Sequence, residues 1–337
     1  MIRELQGEMG TSHAYEIGGD LMTGDAQPVG GLGIEHRWAG DGYEITRFYV
    51  GDPANEGERS PLLSAGVDAQ LGDKIVAING ITLTKELTPE AALWNIAGEL
   101  VTLKLKRGDK VWDVVVRTLR DERQLIYRAW VERNRRYVHE KSKGRLGYVH
   151  IPDMGPRGFA EFNRLFPLET EKDGLIVDVR FNGGGHVSQL ILEKLMRKRI
   201  GYDKPRRGKP EPYPSDSVKG PIVVITNEQA GSDGDIFTHS FKLLSLGPVI
   251  GTRTWGGVIG INPRISLVDG TFVTQPQFAF WFKDVGWGVE NYGTDPTIEV
   301  EITPEDYMQG RDPQLDRAIE EALKLLSQVE MLEPPSD

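Results

Sequence analysis

Two stretches of this chain place reactive side chains directly after an apolar run and directly before a helical pattern. The first is Asn182-Gly183-Gly184-Gly185-His186, after GLIVDVRF; the second runs from Asn227 through Gly231-Ser232-Asp233 to Asp235, after PIVVIT. A buried strand that turns sharply into a helix delivers its junction residues to the carboxyl edge of a sheet, where α/β proteins bind ligands. The following helix offers free N–H groups and the positive end of its dipole, both suited to a developing oxyanion. Ser232, between Gly231 and Asp233, is therefore a candidate nucleophile, although GSDGD lacks the GxSxG spacing of a nucleophile elbow. A serine at that position is equally suited to capping its own helix.

A nucleophilic serine needs a base. The histidines are His13, His36, His139, His150, His186 and His239. His239 lies one to two turns down the helix that Ser232 starts, about 10 Å along its axis, beyond direct reach, and reads as structural. His186 follows the glycine run and is a local candidate. His13 lies in a polar N-terminal stub, and periodicity does not choose between them. Lys242 would face the wrong part of the helix, which argues against a Ser–Lys dyad.

From residue 144 the chain alternates strand and helix. RLGYVHIPDM, GLIVDVRFN and GPIVVITNE read as buried strands, and VIGTRTWGG, INPRISLVDGTFVTQP and FAFWF as further strands. GFAEFNRLF, VSQLILEKLMRKR, GDIFTHSFKLLSL and DPQLDRAIEEALKLLSQV read as helices. Apolar strands alternating with helices define an α/β domain. Residues 28–118 read differently. Two strands, a turn around GDPANEGERSP and a short helix precede a strand at Lys74–Ile78 with an Asn79-Gly80 hairpin turn. A helix capped by Thr88 with Pro89 at its first position follows, then a hairpin turning at Arg107-Gly108-Asp109. Residues 119–140 are a charged connecting segment whose Arg133, Arg135 and Arg136 read as a solvated face.

Composition narrows the function. A chain of 337 residues suggests two domains, and its net charge of −10 disfavours nucleic acid and anionic membranes. The absence of cysteine excludes thiol catalysis, disulfides and thiolate metal sites. No apolar run is long enough to span a bilayer, and MIRELQGEMGTSH lacks a signal-peptide pattern. The expectation is a cytoplasmic protein that binds neither nucleic acid nor membrane and uses no cofactor or metal.

SPLLSAGVDAQLGDKIVAINGI resembles the PDZ domain, in which a Gly-rich loop, here Gly30-Gly31-Leu32-Gly33, offers N–H groups to a peptide carboxylate. GLIVDVRFNGGGHVSQLILEKLMRKRIGYD, ITNEQAGSDGDIF, IGTRTWGGVIGI and TQPQFAFWFKDVGWGVENYGTDP resemble the catalytic region of the tricorn protease family, and the likeness runs from about Leu5 to Leu325. The resemblance implies an αβ sandwich of the crotonase/ClpP-like type beside a mostly β PDZ-like domain. It divides the chain into residues 1–27, the remnant of a mixed subdomain carrying Ser12 and His13; 28–118, PDZ-like; 119–330, peptidase; and 331–337, a tail. It implies Ser232 as nucleophile and His13, in the TSH motif, as base. Ser12 and Glu290 then complete a Ser-His-Ser-Glu tetrad, and the N–H groups of Gly185 and Asp233 form the oxyanion hole. Gly184 and Asp203 would bind substrate, Asp203 reaching across a subunit contact. The partners implied are oligopeptide substrates and further copies of the chain, a homo-oligomer with a hexamer as the candidate form. Tricorn proteases carry two β-propellers and a fuller mixed domain before the TSH motif, and the base is in place only if this short segment holds His13 against the peptidase domain.

Two other readings remain at this level. A non-catalytic PDZ-containing peptide-binding scaffold would keep the fold without turnover. A dinucleotide-binding site would use Gly183-x-Gly185 and Asp203, but Ser188 stands where the third glycine belongs.

Overall fold

The computed structural model describes residues 2–19, 28–51, 59–261 and 266–334. The chain falls into two compact units, residues 24–133 and residues 1–23 with 134–337. The turn expected around residues 51–61 and the strand expected from Ile261 fall partly outside the described residues.

The smaller unit is a single antiparallel sheet. Strands β1 (Ile34–Trp38), β2 (Tyr43–Phe48), β3 (Lys74–Ile78), β4 (Leu100–Arg107) and β5 (Lys110–Arg117) lie in that order, which leaves β1 at an edge. Asn79 and Gly80, with φ of 49° and 78°, return the chain so that Ile81 pairs with Ile78, as a type I′ turn does. Helix α1 (Pro89–Ala92) opens as expected, with the Thr88 hydroxyl accepting the Ala91 N–H at 3.3 Å. Alternation along β4 buries Val101, Leu103 and Leu105 against Ile45, Ile75 and Leu93. The short helix expected in the segment from Leu62 is only a 3-10 turn, Pro61–Leu63, followed by a bend and a turn.

The larger unit is built on a parallel sheet of β6 (Leu146–His150), β7 (Gly174–Asp178), β8 (Ile222–Thr226), β9 (Val249–Gly251) and β10 (Ile298–Glu299), adjacent in chain order. Every residue of β6, β7, β8 and β9 is buried, which is why they read as continuous apolar runs. Helix α2 (Arg123–Lys141) leads into this unit in sequence, and α3 (Pro156–Glu169), α4 (Ser188–Leu195) and α5 (Asp233–Leu243) connect the strands. Right-handed crossovers between neighbours in sequence order put such connections on one face. The closing amphipathic helix α6 (Pro313–Leu326) packs on β6 to β9. This is the α/β domain, accompanied by a mostly β module, that the sequence suggests.

Two expectations are corrected by packing. Arg135 is no solvated cation: it donates to the buried Glu169 carboxylate at 3.0 Å, beside His139 Nε2 at 2.8 Å. FAFWF is strand only at Phe278, the last residue of Pro276–Phe278, which pairs with Gly260–Ile261. Phe280 and Phe282 instead cover Ile236, Val258 and Val289. Aromatic content produces the strand signal, and burial of those rings takes the segment out of the ladder.

The N-terminal segment is attached to the rest of the larger unit. Glu16–Ile17 pairs antiparallel with Phe272–Val273. Thr274 donates its hydroxyl to the His13 carbonyl at 2.5 Å, accepts the Tyr15 N–H at 2.6 Å, and donates its own N–H to the Tyr15 carbonyl at 2.9 Å. Asn291 holds the Gly10 carbonyl at 2.9 Å, and the buried Gln6 donates to the Thr274 carbonyl at 3.3 Å. Among the described residues, no helix is long and apolar enough to cross a membrane.

Candidate active site

Ser232 stands between β8 and α5 with φ 58° and ψ −120°, a conformation that a residue bearing Cβ rarely adopts. Its side chain makes no capping bond. A capping serine would relax to an extended backbone and bond the second or third helical N–H. The capping role weighed from the sequence is therefore unfilled, and the strained backbone holds the hydroxyl away from the helix. Neighbouring groups over-determine that geometry. Gly231 donates to the Asn182 carbonyl at 3.0 Å. The Ser232 N–H bonds the Asp235 carboxylate, which also accepts Gly256 N–H at 2.8 Å and Gly257 N–H at 3.3 Å. Asp235 is fully buried, and burial pushes its carboxyl above the usual range.

The glycine junction after β7 lies against the serine. A Cβ on Gly184 would come within 2.5 Å of Ser232 Cβ. Gly185, at φ 152°, bridges to Met154, whose carbonyl a Cβ would overlap, so this close approach requires glycine. Among the described residues, neither the Gly185 nor the Asp233 N–H donates to another group. The Asp233 side chain ties the two junctions together. Its buried carboxylate accepts the Ser188 hydroxyl at 2.5 Å and the Ser188 N–H at 3.0 Å, capping α4 where Val187 has no side chain to do so. Burial raises the Asp233 carboxyl above its ordinary value.

His13, Ser12 and Glu290 form a continuous relay. Glu290 Oε1 accepts the Ser12 N–H at 2.7 Å, and Oε2 accepts the Ser12 hydroxyl at 3.0 Å, Val258 N–H at 2.7 Å and Ile259 N–H at 3.1 Å. An ionised carboxylate only accepts, so it takes the single proton of the Ser12 hydroxyl. That hydroxyl can then only accept at His13 Nδ1, 3.0 Å away. The relay therefore assigns the proton to Nδ1 and leaves Nε2 with a free lone pair, as a base requires. Burial pushes the His13 ring below the usual histidine range, and the Glu290 charge partly offsets this.

Trp255 joins the two halves. The His13 ring meets its indole edge-on at 5.4 Å, and a Cβ on Gly231 would fall 2.7 Å from the indole Cε3. Among the described residues, no hydrogen bond joins Ser232 Oγ to the imidazole.

The other candidates separate. His239 is structural as expected, bonded to Thr294 Oγ1 at 3.2 Å and Asp284 Oδ1 at 3.1 Å. Lys242 bonds the Asp295 carbonyl, so it supplies no dyad. His186 is exposed on the glycine junction and interacts electrostatically with Asp233. Asp203 ends an exposed hairpin, Gly201–Asp203 with Glu211–Tyr213. That hairpin is not part of the parallel sheet, which removes Asp203 as a support of the dinucleotide reading, and Ser188, where a third glycine would belong, is engaged by Asp233. Sequence reasoning missed the side-chain roles of Asp233 and Asp235. Their partners are loop N–H groups and a distant hydroxyl, which leave no periodic trace.

Residues 145–300 match peptidase family S41, and residues 30–121 match the tricorn protease PDZ domain. The fold and these matches define a PDZ module joined to a domain of the S41 serine peptidase class. The chain is 54% identical over 328 residues to the tricorn protease of Thermoplasma acidophilum, covering 97% of this chain and 30% of that protein. It is 55% identical over 334 residues to a tricorn protease homolog of Saccharolobus solfataricus, again 97% of this chain and 30% of the relative. The crystal structure of the tricorn protease superposes with a TM-score of 0.91 over 96% of this chain and 32% of that one, at 54% identity. The chain belongs to the tricorn protease family. It spans about a third of the length of these relatives.

Proposed function

We propose that this chain hydrolyses peptide bonds through an acyl-enzyme on Ser232. His13 Nε2 takes the Ser232 proton as the hydroxyl attacks the carbonyl, then returns it to the leaving amine. Ser12 and Glu290 hold the proton on Nδ1 and stabilise the imidazolium that forms. The free N–H groups of Gly185 and Asp233 receive the oxyanion. The hydroxyl–imidazole bond forms when substrate fills the site, since catalytic hydrogen bonds often reach their working geometry only in the complex. Asp203 supplies a negative charge for Lys or Arg before the scissile bond, contributed from a neighbouring copy in a homo-oligomer. Gly184, packed on Ser232, leaves room for the substrate backbone. Short peptides are the substrate class proposed.

The observation that carries this reading is the Glu290–Ser12–His13 relay, which fixes the tautomer a general base needs. Comparing His13→Ala with His186→Ala on a fluorogenic peptide ending in Arg-aminomethylcoumarin tests it. Loss of turnover in His13→Ala alone is expected; loss in His186→Ala alone would reassign the base. If wild type and Ser232→Ala are equally inert, the non-catalytic scaffold is the correct reading.

A further inference from the structure

The Gly-rich loop of the PDZ module already holds a carboxylate, and it is the protein's own. Such loops capture the C-terminal carboxylate of a peptide with unpaired backbone N–H groups, while the peptide adds a strand to the sheet edge. Here each glycine N–H of the loop has an internal acceptor. Gly30 donates to the Leu93 carbonyl at 2.9 Å and Gly31 to the Leu119 carbonyl at 3.0 Å. Gly33 donates to Glu122 Oε1 at 2.6 Å. The Glu122 side chain lies over the loop so closely that a Cβ on Gly31 would overlap its Cγ and Cδ and sit 2.9 Å from Oε1. Gly31 is a glycine to admit this carboxylate.

The groove beside the loop is pinned as well. Edge strand β1 carries His36, and α1 carries Glu90; their side chains meet at 2.8 Å between strand and helix, on the route an added strand would take. Beneath the loop, Leu32 and Leu93 are buried, and Ile34 and Ile96 pack on the same core. That lining suits an apolar terminal side chain.

We propose that this module carries a masked site for a peptide with an apolar C-terminal residue and a free α-carboxylate, and that Glu122 is its built-in occupant. An external carboxylate binds only when Glu122 leaves, so the apparent affinity falls in proportion to the open fraction. The site is independent of the chemistry at Ser232, and its test reads binding rather than turnover.

The test is fluorescence anisotropy of a fluorescein-labelled hexapeptide ending in Val, as the free acid and as the C-terminal amide. The full chain is used in a Ser232→Ala background, so that the peptide stays intact. Glu122→Ala is expected to bind the free acid at least about tenfold more tightly than the chain with Glu122 in place, with no gain for the amide, because an occupant favoured about ten to one lowers apparent affinity by that factor. Equal affinity for the free acid with and without Glu122, or equal gains for acid and amide, overturns the proposal. Should Glu122→Ala fail to fold, Glu122→Gln keeps the shape and weakens the charge-assisted bond. It is expected to show the same preference for acid over amide at smaller gain, and no gain there also overturns it.

Discussion

Replacing Ser12 with alanine separates catalysis from stability. The Ser12 hydroxyl donates to Glu290 Oε2, receives His13 Nδ1–H, and lies 3.3 Å from Ile259 N–H. In Ser12→Ala, Glu290 keeps the N–H groups of Ser12, Val258 and Ile259, so its charge is not orphaned. Nδ1–H is half-buried and can turn to water. The stability loss is therefore that of one ordinary hydrogen bond, about 1 kcal/mol, or roughly 2–4 °C in Tm for a unit of this size. The transition state fares worse, because the positive imidazolium loses its link to the carboxylate. A hydrogen bond to a charged group contributes about 1.5–3 kcal/mol, which is about 10- to 150-fold in kcat at 1.36 kcal/mol per decade. Steady-state kinetics on the fluorogenic peptide and a thermal melt of the same preparation read the two effects. A kcat within twofold of wild type, or a change in KM alone, refutes the relay.

Three further outcomes follow from the same geometry. Burial holds His13 below its ordinary pKa, so the acid limb of kcat/KM falls below pH 6.5. Glu290 opposes that shift, so Glu290→Gln moves the limb to still lower pH while reducing kcat; a limb that moves up contradicts the assignment. Ser232→Gly and Ser232→Ala both abolish turnover, but only glycine accepts φ 58° and ψ −120° without strain, so Ser232→Gly melts higher by the equivalent of about 1 kcal/mol. An alanine variant that melts as high denies the strain. Gly185→Ala forces a methyl into the Met154 carbonyl and shifts the proposed oxyanion donor, so it lowers kcat about 100-fold or more with a lower Tm; wild-type kcat in that variant excludes Gly185 from the hole.

Local patterns carried much of the fold. The Asn79-Gly80 turn, the Thr88 cap and the apolar strands are set by neighbours within a few residues, so composition and spacing disclose them. The two strand–helix junctions were legible for the same reason. The choice of His13 over His186 was not, because it depends on Glu290, 278 residues from Ser12, and on Thr274, which anchors the segment. Family resemblance supplied that choice, and local sequence could not. Asp233 and Glu122 act through bonds 45 and 89 residues away, and each reads locally as one more surface acid. FAFWF failed in the opposite direction: its aromatic content suits a strand, while its rings are used to cover a core.

An imidazole from the N-terminal segment that activates the Ser232 hydroxyl must also set that hydroxyl's reactivity toward an electrophile. The rate of labelling by a fluorophosphonate reads that reactivity, with mass spectrometry locating the adduct. One adduct is expected, on Ser232, formed about a thousandfold or more slowly in His13→Ala, since removing the base of a serine triad costs several orders of magnitude. An adduct elsewhere, or labelling of His13→Ala at the wild-type rate, contradicts it.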